Sequence, residues 1–312
     1  MEGQNKTLGF VILGFSGNVE MQGLLFILFF IMYTTSLLGN ALISITIRLD
    51  SSLHTPMCYF IASLSLVDIC YTSVTTPKML ANFLSQDKTI SFFGCAAQLY
   101  FLLFLGTTEC FLLAAMAYDR FLAICNPLRY SSIMSKQLCT WLVAGSWASG
   151  MTLSLGQTSL IFTLPFCEDN HINYFFCDIP PLLRLACGDT TINEITVFMA
   201  GLLITLFPFL LILGSYAHII TTILKITTSK GRQKAFSTCS SHLIVIILFY
   251  GSASTMYLRP PSSYSLETDK FLALLYSTIT PTLNPIIYSL RSKEINDALR
   301  RRMTSKIFSF NI

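Results

Sequence analysis

Charged side chains lie inside long apolar segments of this chain or at their ends. Asp119 and Arg120 are adjacent in the run MAYDRFLAIC, whereas Asp68 and Glu109 lie deeper in two such segments. An ion pair at a membrane boundary is rarely incidental, although the same dipeptide in a soluble helix would be an ordinary exposed pair. In a membrane, Asp68 and Glu109 would each cost several kcal/mol if ionised and unpaired, so they must be protonated, share polar partners or hold a cation.

The composition predicts a membrane protein rather than a water-soluble globule. Of the 312 residues, 53% are hydrophobic and 12% are charged, and this charged share is about half that of an ordinary soluble domain. The formal net charge of +4 is too small and too dispersed for nucleic-acid binding, which needs a concentrated basic face. We therefore expect membrane lipids, and no nucleic acid, among the partners.

Seven apolar runs are long enough to cross about 30 Å of hydrocarbon. They lie at about 23–47, 57–83, 95–124, 138–160, 195–224, 235–258 and 271–290. Only helices and closed barrels satisfy their backbone in lipid, and these runs lack the alternation of barrel strands. The predicted fold class is all-α, with one seven-transmembrane helix bundle over residues 1–312. It leaves an N-terminal segment (1–22), a long loop (161–194) and a tail (291–312) outside the spans.

Lysine and arginine are distributed unequally between the two sets of connections. With the N-terminus outside, 14 of the 20 basic residues fall on the cytoplasmic side, as the positive-inside rule favours. Asn5 in Asn5-Lys6-Thr7 is then a glycosylation acceptor on the extracellular side, although such triplets also arise by chance. Apolar residues at helical spacing after the seventh span predict a short amphipathic cytoplasmic helix along the membrane. They are Ile295, Ala298, Leu299 and Met303.

Four of the ten cysteines lie on the expected extracellular side, at the start of the third span or in the long loop. They are Cys95, Cys167, Cys177 and Cys187. An even set on the oxidising side predicts two disulfides, but four cysteines allow three pairings, among which the pattern does not choose.

Five motifs in order resemble one known family over nearly the whole chain. They are LHTPM (53–57), MAYDRFLAIC followed by NPLRY (116–130), SY (215–216), KAFSTC (234–239) and PTLNPIIYSLR (281–291). Together they resemble the vertebrate olfactory receptors, tetrapod-type group, of the rhodopsin-like (class A) G-protein-coupled receptors. The chain departs from the family pattern at Cys58-Tyr59 and at Phe121-Leu122. Both departures are mild, because they affect side-chain packing and change no charge.

The resemblance implies disulfides between Cys95 and Cys177 and between Cys167 and Cys187. It implies an activation switch in which Asp119 neutralises Arg120 until the sixth helix moves outward. The residues of this switch and of G-protein coupling are Asp119, Arg120, Tyr216, Lys234, Asn284, Pro285 and Tyr288. Asp68 and Glu109 resemble the family's internal sodium site, with Asn40 and Asn284 nearby, and a protonated, hydrogen-bonded pair is the alternative.

A ligand pocket is expected between the third, fifth, sixth and seventh spans, near the extracellular face. Its candidate residues are Leu102, Leu103, Gly106, Thr107, Ala200, Gly201, Ile204, Thr205, Tyr250, Ala253, Ser254, Tyr257, Leu274 and Ser277. The set is mostly apolar, and Leu102 occupies the position where amine receptors of this class carry Asp. It therefore favours small, neutral, hydrophobic ligands, although any one such side chain is more often plain packing than a ligand contact.

The resemblance implies an odorant receptor that activates a stimulatory olfactory-type heterotrimeric G protein and raises cyclic AMP. It also implies a plasma-membrane location, in the ciliary membrane of olfactory sensory neurons. A non-olfactory receptor for a lipid-like mediator is the closest alternative. A transporter would need repeats and paired broken helices that are not evident, and scattered histidines without a nucleophile or zinc motif argue against an enzyme.

Overall fold

The computed structural model describes residues 9–15, 18–166, 170–258, 266–291 and 295–301, and within them the chain is mainly helical. The helices are α1 (Val19–Leu49), α2 (Pro56–Leu84), α3 (Phe92–Cys125), α4 (Pro127–Ile133), α5 (Lys136–Phe162), α6 (Ile179–Leu185), α7 (Thr191–Gly201), α8 (Phe207–Leu224), α9 (Ser229–Tyr257), α10 (Leu266–Leu274) and α11 (Thr280–Arg291). Short π-helical segments, Leu202–Leu206 and Leu275–Ile279, connect α7 to α8 and α10 to α11. Each of the seven predicted spans overlaps either one helix or two helices joined by a π segment. This overlap confirms the helical architecture.

Several helices are long and apolar enough to cross a membrane. In the described part of the chain they are Val19–Leu49, Pro56–Leu84, Phe92–Cys125 and Thr191–Leu224, and His242–Tyr257 is a shorter apolar stretch. Helix α5 has a comparable length but is less apolar, because serine, threonine and glycine recur along it.

Polar caps set where the long helices begin. The side chains of Asn18, Thr55, Ser91 and Ser135 each accept a hydrogen bond from a backbone N–H in the first turn of α1, α2, α3 and α5. Such caps satisfy backbone donors that have no partner inside the helix. The first helix therefore begins at Val19, before the predicted start of the span at residue 23.

Helix α3 lies at the centre of the bundle and contacts α2, α5, α8 and α9. Gly150 allows α5 to pack closely against α3, because a Cβ at this position would lie 2.7 Å from the backbone oxygen of Phe104. Residues on one face of α3 are buried over most of the length of the helix.

A small sheet covers one end of the bundle, and the sequence analysis did not predict it. Its strands are β1 (Gly9–Ile12), β2 (Thr89–Ser91) and β3 (His171–Ile172), and β1 lies between the other two. Alternation along β1 buries Phe10 and Ile12. The Lys270 ammonium donates to the Gly14 backbone oxygen at 3.0 Å and so holds the segment after β1 against α10. We call this the disulfide end, because the disulfide between Cys95 and Cys177 lies there.

The opposite end, called the Arg120 end, carries a contact between the tail and the α1–α2 connection. Residues 295–301 are helical, and Ile295 and Ala298 are fully buried. Arg301 donates to Asp50 Oδ2 at 2.9 Å. Hydrogen bonds from Ser52 and Arg301 lower the pKa of Asp50 to about 2, so this carboxylate is charged at neutral pH.

Candidate functional site

A cavity lies toward the disulfide end, and the space between its walls, including the part that is open to solvent, is about 660 Å³. Helices α3, α5, α7 and α9 supply most of its wall, and Tyr71 of α2, Ile179 of α6 and residues of both π segments supply the rest. No Asp, Glu, Lys, Arg or His is among the described residues that line it.

Ten of the predicted pocket residues meet around this cavity. They are Leu102, Leu103, Gly106, Thr107, Ala200, Gly201, Ile204, Thr205, Ala253 and Tyr257. They come from α3, from α7 and its π segment, and from α9, so three separate helices contribute to one surface.

Four predicted pocket residues lie outside the lining: Tyr250, Ser254, Leu274 and Ser277. On α9 the cavity face consists of Phe249, Ala253 and Tyr257, which are four residues apart. Tyr250 and Ser254 each lie one residue further, which turns them about 100° around the helix. Between α10 and α11 the π segment changes the number of residues per turn, so that Tyr276 rather than Leu274 or Ser277 lines the cavity.

Tyr250 instead joins two helices beneath the cavity. It is fully buried, and its hydroxyl donates to the Cys110 backbone oxygen of α3 at 2.7 Å. Its ring stacks on Phe209, with 5.5 Å between the ring centroids. Helix α9 is therefore hydrogen-bonded to α3 one residue beyond the cavity residue Phe249.

The long loop forms a roof over the cavity. The disulfide between Cys95 and Cys177 ties this loop to α3 and confirms the first pairing that the resemblance implies. Gln98 Oε1 accepts a hydrogen bond from the Cys177 N–H at 2.9 Å. Cys187 is disulfide-bonded, but Cys167 lies outside the described residues, as does Asn5.

Asp178 connects the roof to two helices that line the cavity. It is fully buried and accepts hydrogen bonds from Tyr257 at 3.0 Å, from Tyr276 at 2.6 Å and from the Ile179 N–H at 2.8 Å. Burial raises the pKa of this carboxyl to about 6, although the three hydrogen bonds act in the opposite direction. All three donors are protein groups, so Asp178 is a structural acceptor in the roof.

A polar cluster lies in the middle of the bundle, where Asp68 accepts hydrogen bonds from Asn284 Nδ2 at 3.2 and 2.9 Å. Asn40 donates to the backbone oxygens of Ser36 and Pro281. Several buried oxygens in the described residues of this cluster accept no hydrogen bond. They are both carboxylate oxygens of Glu109 and the amide oxygens of Asn40 and Asn284. Oxygen atoms of this kind are hard ligands, and hard ligands suit Na⁺.

At the Arg120 end, Asp119 accepts a hydrogen bond from Tyr130 of α4 at 2.8 Å. Among the described residues no ion pair within 4.0 Å joins Asp119 to Arg120, although the charge of Arg120 acts on the Asp119 carboxyl. Neighbouring residues of a helix do not face each other, so the two side chains point in different directions. Arg120 Nε is buried without a hydrogen-bond partner in the described part of the chain.

Tyr216 of α8 shares a hydrogen bond with His242 Nδ1 of α9 at 2.8 Å. The charge of Arg120 acts on Tyr216, His242 and Tyr288, so these three side chains lie near it. The Tyr288 hydroxyl is buried without a hydrogen-bond partner among the described residues. Pro285 lies inside α11, one residue after Asn284, whereas the Lys234 side chain is outside the part that the structure describes.

Known proteins resemble this chain along nearly its full length. The family model for olfactory receptors matches residues 29–306. Human olfactory receptor 10A7 is 52% identical over 306 residues, which cover 98% of this chain and 97% of that protein. Human olfactory receptor 10K1 is 52% identical over 303 residues, which cover 96% and 97%.

The chain belongs to the olfactory receptor family. It is therefore a G-protein-coupled receptor of a multi-pass membrane family that serves olfaction, and it is not an enzyme. The cavity, the polar cluster and the surroundings of Arg120 all lie within the matched residues.

Sequence reasoning missed part of the cavity wall of this receptor. The fourth span was not expected to contribute, yet Leu153, Ser154 and Gln157 of α5 line the cavity. Gln157 could have indicated this contribution, because a polar side chain within the uncharged run 138–160 needs a partner. His242 was also missed, because it was counted among the scattered histidines. It lies only three residues after the KAFSTC motif. The remaining missed lining residues are Tyr71, Cys110, Ile179, Val197, Phe249 and Tyr276.

Proposed function

We propose that this receptor detects small, neutral, hydrophobic volatile molecules in the cavity described above. The supporting observation is its wall, which is mainly apolar and carries no charged side chain among the described residues. A charged ligand would lose its hydration there without gaining a counter-ion. Asp178 does not supply one, because protein donors already occupy its oxygens.

We infer that ligand binding is transmitted along α9 to a stimulatory olfactory-type G protein, which raises cyclic AMP. Phe249, Ala253 and Tyr257 contact the cavity, whereas His242 of the same helix holds Tyr216 near the Arg120 end. A ligand that displaces the cavity face of α9 moves the whole helix, because helices are stiff and packed interfaces switch between discrete arrangements. Outward movement releases Tyr216 from His242, and Tyr216 and Tyr288 then close around Arg120.

The proposed orientation has the disulfide end outside the cell and the Arg120 end in the cytoplasm. It agrees with the excess of basic residues near the Arg120 end and with a disulfide on the oxidising side. Asn5 would then carry a glycan, and the helix at residues 295–301 would lie along the cytoplasmic membrane surface. The proposed cellular location is the ciliary membrane of olfactory sensory neurons.

We also propose an internal sodium ion at the polar cluster. Asp68, Glu109, Asn40 and Asn284 would hold it through oxygen atoms, four of which accept no hydrogen bond from the described residues. When bound, the ion would compensate the negative charge of the two carboxylates. A shared proton is the alternative, and the two differ in their dependence on sodium.

The test is the cyclic AMP response of cells that display the receptor at their surface. The panel contains neutral volatiles and, as comparators, charged amines and peptides. A response to neutral volatiles alone is expected, with no response in cells that lack the receptor. Activation by only peptides or charged amines would contradict the proposal.

A further inference from the structure

Three hydroxyl groups in the cavity wall have no hydrogen-bond partner among the described residues. They belong to Tyr71 of α2, Thr107 of α3 and Thr205 of the π segment that follows α7. Other unpaired polar atoms of the described chain are sealed from open space, Gln157 Oε1 among them, but none of the three hydroxyl oxygens belongs to that group. These oxygens are therefore open to the cavity, and a molecule inside it can contact them.

Tyr71 reaches the cavity because Gly106 has no side chain. A Cβ at Gly106 would lie 3.5 Å from Tyr71 Cε2 and 3.6 Å from the Tyr71 hydroxyl oxygen. The hydroxyl thus lies over the backbone of Gly106, where a side chain of α3 would otherwise cover it. Both residues line the cavity. The glycine therefore exposes the polar end of a side chain that is otherwise buried.

The hydrogens of these hydroxyls are not used inside the described part of the protein. A threonine in a helix can donate to the backbone one turn earlier, as Thr108 does to the Phe104 oxygen at 2.8 Å. Its neighbour Thr107 makes no such bond in the described ranges. Since Thr107 directly follows Gly106 on α3, its hydroxyl lies on the same part of the wall as that of Tyr71.

Other hydroxyls of the wall already have acceptors for their hydrogens. Tyr257 and Tyr276 donate to Asp178, and Ser154 donates to a backbone oxygen of its own helix. A ligand that displaces water from a polar group without replacing its hydrogen bonds loses affinity. The wall therefore favours a ligand that brings an acceptor for the three unused hydrogens.

We propose that Tyr71 determines ligand specificity by donating a hydrogen bond to a carbonyl oxygen, and that the preferred odorants are aldehydes, ketones or esters. This inference rests on the proposed function. A carbonyl oxygen has two lone pairs and no hydrogen of its own, so Thr107 offers it a second donor beside Tyr71. The hydrocarbon part of the ligand fills the remaining apolar cavity. A pure hydrocarbon of the same shape leaves these hydroxyls unpaired.

The experiment uses aldehydes and methyl ketones, each together with the alkene in which a CH₂ group replaces the carbonyl oxygen. Cyclic AMP dose–response curves are recorded for cells with matched surface expression, and thermal stabilisation by the same compounds is measured on purified receptor. Tyr71→Phe removes the hydroxyl and keeps the ring. It should raise the half-maximal concentration of a responding carbonyl compound about tenfold and change that of the matched alkene by less than about twofold. Each compound is compared with itself, so differences in membrane partitioning cancel.

Tyr118→Phe is the matched control, because it makes the same change at an exposed position of α3, and it should alter neither response. An unchanged response of Tyr71→Phe to carbonyl compounds overturns the inference and leaves the proposed function intact. An equal loss for the matched alkene also overturns it, because altered packing would have that effect.

A wild-type receptor that responds only to alcohols or only to hydrocarbons overturns the carbonyl preference while the proposed function stands. Carbonyl-selective thermal stabilisation that Tyr71→Phe loses, without a cyclic AMP response in the wild type, supports the inference and contradicts the proposed coupling. Neither response nor stabilisation with any neutral volatile overturns both.

Discussion

The hydroxyl of Tyr257 donates a hydrogen bond of 3.0 Å to Asp178 Oδ1, which links the cavity face of α9 to the roof of the cavity. Tyr276, in the π segment between α10 and α11, makes a second link to Oδ2 of the same carboxylate. The disulfide between Cys95 and Cys177 holds the roof to α3 next to this point. The roof therefore connects three of the helices that surround the cavity.

The titration of Asp178 predicts how stability depends on pH. Its pKa is about 6 in the folded receptor, above the ordinary value of 3.8, so the folded state binds more protons than the unfolded state between these values. Its contribution to stability is therefore greatest below about pH 4, decreases as the pH rises to about 6 and is constant above that. The unfolding temperature of purified wild-type receptor should include this decrease between about pH 4 and about pH 6. In Asp178→Asn this decrease should be absent. An identical pH profile in the variant would contradict the assignment.

The hydrogen bond between Tyr130 and Asp119 should contribute to stability. Tyr130→Phe leaves the buried Asp119 carboxylate without this donor, and we expect a loss of about 1–3 kcal/mol in the free energy of unfolding. Denaturant or thermal unfolding in detergent measures it. Tyr118→Phe is the control, because Tyr118 is exposed and its substitution should change little. Equal stability of both variants would show that the hydrogen bond does not matter.

Gly150 should tolerate no side chain at the contact between α3 and α5. Gly150→Ala places a methyl group 2.7 Å from the Phe104 backbone oxygen, and such overpacking costs about 1–3 kcal/mol. Gly145 on the same helix has no atom within 4 Å of its Cβ position, so Gly145→Ala should be neutral or stabilising by up to about 1 kcal/mol. Surface expression and unfolding temperature measure both changes, and an equal effect of the two substitutions would refute the close packing.

Glu109 should be required for any effect of sodium. Purified receptor is expected to unfold at a higher temperature in sodium chloride than in an equal concentration of choline chloride. Glu109→Gln removes one carboxylate from the proposed site and should abolish this difference. Sodium dependence that survives in the variant would favour another site, and its absence in the wild type would favour a shared proton.

The sequence predicted the helices well because their length and apolar character are local properties. It also located ten residues of the cavity, since residues four apart on α3 and α9 share a face. It failed where local geometry departs from a regular α-helix, as at Tyr276, where a π segment changes which side chain faces inward. The strand Gly9–Ile12 escaped prediction because its partners lie in two distant loops. Asp119 and Arg120 form no direct ion pair, because neighbouring side chains on a helix point in different directions, and the neutralisation of Arg120 by Asp119 stays a prediction.

The most direct test of the proposed function is to fill the cavity with a larger side chain. Ala253 is buried and lines the cavity, so Ala253→Phe should occupy ligand volume, whereas Ala144→Phe makes the same change at an exposed position of α5. Cyclic AMP dose–response curves to an activating volatile compare both variants with the wild type at matched surface expression. We predict that Ala253→Phe loses or strongly weakens the response and that Ala144→Phe retains it. An undiminished response of Ala253→Phe would contradict ligand binding in this cavity.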